Sequence, residues 1–243
     1  MRRLVIALVL TLLWASAALA QVTKVGSDIA VTGGSSITTL DNEISTSSGE
    51  TLIAVVLHRQ GSEATTAVSG VEIVSGSAFT QVVYHWVADT VAAGIWCLAS
   101  SPGGTVTVRA TFSSAINTPY INVSRWTGVR DCTAEDTDTA LNSATTTHVH
   151  GSLTTTGPGL IIGAVTLSAY GRTKTAADGF TALVQNDPEQ RFFGQYRITT
   201  GGVTNETIST TISSADSSRA ASAAFAAAEG GSARRGLLLG VGK

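Results

Sequence analysis

Charge is scarce in this 243-residue chain: Asp, Glu, Lys and Arg together make up 13% of it. No run or excess of Lys and Arg tracks along it, so the basic surface that holds a phosphate backbone is missing and nucleic acid is excluded as a partner. Aromatic residues are few as well, at 6%, and a core of this size needs most of them. The four prolines fall outside every strand expected below, as they should in a sheet protein. Helical periodicity is almost absent after the first twenty residues. No segment beyond them is apolar over the ~20 residues that would span a bilayer. Catalytic signatures are missing too. No serine is flanked as Gly-x-Ser-x-Gly, and paired carboxylates for glycoside cleavage have no recognisable spacing.

The first residues read as a secretion leader, 1–20. Arg2 and Arg3 give a positive start, Leu4 to Trp14 an apolar stretch, and Ala18-Leu19-Ala20 a small-residue cleavage site, so the mature chain begins at Gln21. The expected location is therefore outside the cytoplasm: periplasmic, extracellular or virion-associated. Losing two of the 15 Lys+Arg leaves 13 against 17 Asp+Glu, a mature charge of 13 − 17 = −4. The surface must then be solvated by Ser, Thr, Asn and Gly, a composition that suits strands and turns.

Two cysteines remain, Cys97 and Cys132. An even count in an exported chain points to a disulfide between them; the alternative is a buried Cys97 and a free loop thiol at Cys132.

From Gly49 to Phe225 one strand pattern is written twice. Gly49-Glu50-Thr51-Leu52-Ile53 matches Gly157-Pro158-Gly159-Leu160-Ile161, a step of 157 − 49 = 108. Phe79-Thr80 matches Phe180-Thr181 at 101, Ala110-Thr111 matches Thr210-Thr211 at 100, and Trp126 matches Phe225 at 99. Order and near-constant displacement over four blocks indicate duplication. Each half offers a doubly buried opener (Leu52 to Leu57, Leu160 to Val165), a strand after the Phe-Thr pair, an aromatic strand, an alternating strand such as Thr105 to Phe112, and a closing strand. Residues 21–48 add one or two edge strands around Ile29 to Val31 and Ser36 to Leu40. The expected fold is all-β, a two-sheet antiparallel sandwich over 21–228 built from half-repeats at 49–129 and 157–228, followed by a loose tail, 229–243.

The Gly-x-Thr-Leu-Ile-Ala-Val-Val opener, the later Phe79-Thr80, the aromatic and alternating strands and the closing Trp126-Thr127-Gly128-Val129 resemble a duplicated jelly-roll-like module. Such modules occur in uncharacterised bacterial exported proteins and in phage virion or tail-associated proteins. The resemblance implies a β-sandwich in a structural or adhesive setting and carries no site residues. Cys132, in the short Asp131-containing stretch after the closing motif, departs from it.

Several groups invite chemistry. His148-Val149-His150 sets two imidazoles on one face of a strand, but a metal needs a third and fourth ligand, and an exposed polar strand is the expectation. Asp131, Glu135, Asp136 and Asp138 concentrate carboxylates in what reads as an acidic loop, a weak calcium candidate without the EF-hand spacing. Tyr84-His85-Trp86 mixes rings with a polar group, as a glycan-binding face would. Asn122-Val123-Ser124 and Asn205-Glu206-Thr207 fit the glycosylation pattern but lie in expected strands. The functional expectation is a non-catalytic structural or binding component of a cell surface or virion, without a cofactor, with glycans, other surface components or further copies of itself as partners. The alternative is a polysaccharide-active hydrolase or lyase on the same fold.

Overall fold

The computed structural model describes residues 20–59, 67–86 and 91–229; the expected leader and tail lie outside them, apart from Ala20 and Glu229. All regular structure in the described chain is β. The strands are β1 (Thr23–Lys24), β2 (Ile29–Thr32), β3 (Ile37–Thr46), β4 (Thr51–Arg59), β5 (Val68–Ile73), β6 (Thr80–Trp86), β7 (Val91–Leu98), β8 (Gly104–Thr127), β9 (Val129–Thr155), β10 (Gly159–Leu167), β11 (Lys174–Ala176), β12 (Thr181–Ala182), β13 (Phe192–Thr199) and β14 (Val203–Ala227). No described helix is long and apolar enough to cross a membrane.

Two antiparallel sheets pack against each other. The first runs β1-β8-β4-β7-β6, with β2, β3 and β5 also paired to β8; the second runs β11-β14-β10-β13-β12, with β9 paired to β14. The order opener, aromatic strand, Phe-Thr strand recurs on one side of each long closing strand. Residues 21–48 contribute three strands rather than one or two. Two further strands, β5 and β11, have no counterpart among those expected from the pattern.

Each alternating strand continues into its closing strand. β8 pairs with β3 and β5 along its first half, and with β4, β2 and β1 along its second. Pro119 lies inside it, which corrects the expectation that proline stays outside strands. It sits where the β4–β8 register slips between Leu57 and Arg59, beside Thr118 at a φ of 45°. A bend is where a residue without an N–H does least harm to a ladder.

The bend folds each sheet over its own opener. Val106, Val108, Ala110 and Phe112 from the first half of β8 pack on Leu52, Ala54 and Val56 of β4, with Leu40, Ile44, Val71 and Trp96. In the second copy, Ile208 and Leu153 pack on Ile161, while Ile212 packs on Val165 and Phe193. A third core joins the halves: Ile53, Val55, Ile95, Tyr120 and Trp126 meet Leu160, Ile162, Phe192 and Phe225. This explains why β4 and β10 are buried on both faces.

The ladders also correct the repeat register. Trp126 pairs with Thr51 and Phe225 with Leu160, so the step of 99 between the closing strands fixes the openers at 160 − 51 = 109, not 108. Leu52 and Leu160, equated by sequence, face different cores. A one-residue slip exchanges the faces of a strand, and a run apolar on both faces carries no parity to reveal it. The Phe-Thr step of 101 agrees with the ladders: Thr80 pairs with Cys97 and Thr181 with Tyr196, itself 99 further on.

Cys97 in β7 and Cys132 in β9 form a disulfide that ties the first sheet to the second. Polar contacts cross toward the other end of β7. The Thr166 hydroxyl donates to the Ala92 carbonyl at 2.6 Å and the Tyr120 hydroxyl to the Val184 carbonyl at 2.8 Å. Buried Asp28 accepts from Lys24, the Asn122 amide and the Val184 N–H. Burial raises the Asp28 carboxyl, but these three donors outweigh it and hold it below its ordinary value.

Candidate ligand-binding site

Tyr84, His85 and Trp86 do not form one face. Strand alternation turns Tyr84 and Trp86 one way and His85 the other. The Tyr84 hydroxyl accepts the Val68 N–H at 3.1 Å and meets His58 Nε2 at 2.9 Å, and its ring lies 5.4 Å from that of Trp96. Burial pushes this phenol up to about 12. His85 Nδ1 donates to the Ala220 carbonyl at 3.2 Å, a bond between the sheets. Trp86 alone is exposed.

The acidic stretch is not a loop but the first half of β9. Its carboxylates serve the backbone of the same strand. Asp138 accepts the N–H of Thr139 at 2.8 Å and of Ser152 at 2.8 Å; Asp136 accepts Thr137 at 2.9 Å and Thr154 at 2.8 Å. Glu135 takes the N–H and hydroxyl of Thr156, and Asp131 the N–H of Thr133. Acceptors committed to separate N–H groups along a strand do not converge on a cation. Among the described residues no three His, Cys, Asp or Glu gather to hold a metal.

His148 and His150 share a face, as expected, but that face is fully buried, which corrects the exposed strand. His148 Nε2 donates to the Thr145 carbonyl at 2.9 Å, so Nδ1 accepts the Ser218 hydroxyl at 2.6 Å; Ser218 in turn accepts the Asn142 amide. His150 Nε2 lies 2.7 Å from the Thr210 hydroxyl, which also receives the Gln195 amide. Asn122, at the head of one glycosylation pattern, is buried too.

The described pocket with the most varied lining lies elsewhere. A cavity of about 420 Å³ opens between β5 and β6 at the mouth of the first copy's own core. Phe79 and Trp96 form its apolar floor. Ser69, Glu72, Gln81 and Thr111 supply polar groups around it, and Gly70 leaves one wall open. Sequence reasoning missed this lining because it missed β5. Val68, Val71 and Ile73 are its buried positions, and a register slip between Val68 and Gly70 breaks their alternation. A Val-x-x-Val-x-Ile pattern around a glycine was the available signal.

No protein family matches this chain, and no curated protein or solved structure matches it either.

Proposed function

We propose that this chain is an exported, non-catalytic β-sandwich that serves as a binding or structural component of a cell surface or virion, the setting implied by the duplicated jelly-roll-like modules it resembles. The observation that carries the reading is the Cys97–Cys132 bond joining the two sheets. Such bonds persist in oxidising compartments and are rare in reducing ones. Two further facts support it. The histidines and the β9 carboxylates are occupied in holding the fold. The usual glycoside hydrolysis sets two carboxyl groups on either side of the bond, whereas the described lining of this pocket contributes Glu72 alone.

The test is binding of the purified mature chain to whole cells and to a glycan array, with its assembly state followed by light scattering. Retention on a surface, or ordered self-assembly, is expected. A monomer that binds nothing, assembles with nothing and accumulates with reduced thiols inside the cell would overturn the reading.

A further inference from the structure

The pocket between β5 and β6 gives the binding reading a specific form, and a ligand site there rests on that reading. We propose that it is a glycan subsite that takes a neutral sugar unit.

Its size falls in the range of small-molecule sites. An extended peptide adding a strand is the obvious competitor for a cleft beside a sheet edge. Here the outer edge of β5 is already occupied. The Val71 carbonyl accepts the Phe79 N–H at 2.8 Å, the Ile73 N–H donates to Ser77 at 2.9 Å, and the Val68 N–H is taken by the Tyr84 hydroxyl at 3.1 Å. Without a free ladder, recognition falls to side chains. Glu72 is an acceptor, the Gln81 amide both donates and accepts, and Thr111 contributes a hydroxyl. The Ser69 hydroxyl donates to the Thr111 carbonyl at 3.1 Å, which leaves its lone pairs for a ligand donor. Polar groups around an apolar floor match a ring with hydroxyls on its edge and C–H bonds on its face. Glu72 is the sole ionisable group in the lining. Its cross-strand neighbour Arg109 lies outside that lining and gives its guanidinium to Asp41 through two 2.7 Å bonds, so the pocket offers an acidic sugar a carboxylate and no free cation.

The second copy does not build the same site. Gln195 stands where Trp96 stands in the first, 99 residues on, and its Oε1 accepts the Ala177 N–H at 2.9 Å, tying down the segment between β11 and β12. Phe180, the counterpart of Phe79, lies under the Arg197 guanidinium at 5.0 Å. The site is therefore a property of one copy.

A Cβ at Gly70 would meet no atom within 4 Å, and no left-handed φ constrains that position. Gly70→Trp should fill the pocket and leave the fold intact. The wild type is first screened on arrays of neutral and acidic glycans; the best neutral binder is then titrated by calorimetry and tryptophan fluorescence. Gly70→Trp, Glu72→Ala and Gln81→Ala are each expected to lose at least about tenfold in affinity at unchanged Tm. The two exposed-residue variants keep the test decisive if Gly70→Trp misfolds. Undiminished binding in stable variants would overturn the site while leaving the binding reading in place. Binding of acidic glycans alone would overturn the neutral class. Whole-cell binding or ordered self-assembly without any glycan binding would sink this subsite only; a monomer with reduced thiols that neither binds nor assembles would sink the broader reading with it.

Discussion

At the scale of single residues, the second copy has exchanged apolar core for buried polar groups. Leu40 pairs with Ala110 in the first copy; His148 pairs with Thr210 at the matching place in the second. Trp96 becomes Gln195 on the same step of 99 that joins Trp126 to Phe225. The shared face of the two histidines was legible from strand alternation, but their burial was not. Their partners Thr210 and Ser218 lie 60 and 70 residues away, and Gly163 lets the His150 ring approach so closely that an added Cβ would sit 2.7 Å from Nδ1. Burial lowers His150 to about 3, with the neighbouring His148 adding to the effect, and lowers His58 to about 4; His148 is lowered too. The unfolded chain takes up protons near pH 6.5 while the folded one refuses them. Stability is therefore full above about pH 6.5 and falls as pH drops toward 4, by up to ~1.4 kcal/mol per pH unit for each such histidine. Denaturant melts from pH 7.5 to 4.5 should show this decline. His58→Gln, which removes one titrating group, should flatten it; an equally steep curve in the variant would assign the acid sensitivity elsewhere.

At the scale of elements, β9 shows most clearly what pattern reading misses. Asp, Thr and Ala mix there without alternation, so its first half reads as a solvated loop, yet it pairs with β14 from Val129 onward. Its carboxylates reach forward to Ser152 and Thr154 in the strand's returning half and to Thr156 just past its end, every second residue. Those N–H groups lie on the side not occupied by β14, which makes the carboxylates caps for an otherwise open edge. An open edge invites pairing with another chain, and inward-reaching charge is one way to prevent it. Replacing Asp138 with Ala removes acceptors for Thr139 and Ser152 together. A loss of about 1–3 kcal/mol is expected, with faster amide exchange at Ser152 while the β4 and β10 amides stay protected. Uniform loss of protection across both sheets would instead make Asp138 a general stabiliser rather than an edge cap. The openers were legible for the opposite reason: a strand buried on both faces needs only an apolar run, and both copies have one. That same uniformity concealed their register.

At the scale of the whole molecule, two folded-over halves of like strand order share a third core. Ile53, Val55 and Trp126 on one side and Leu160, Ile162 and Phe225 on the other are fully buried in that shared layer. Neither copy can expose this face to water without losing the burial of several large side chains, each worth roughly 1.5–3 kcal/mol. The disulfide closes a 35-residue separation across the same layer. Chain-entropy arguments give a loop of that length about 4 kcal/mol, chiefly by restricting the unfolded chain. The Cys97→Ala/Cys132→Ala variant should therefore melt well below the oxidised protein. It should still melt in one transition, because the hydrophobic layer couples the copies with or without the covalent tie. Calorimetry of that variant distinguishes the two sources of cohesion. Two resolved transitions would mean that the bond, not the layer, makes the copies one unit. A single lowered transition would place the coupling in the packed faces, with the disulfide added to an interface already sufficient to join them.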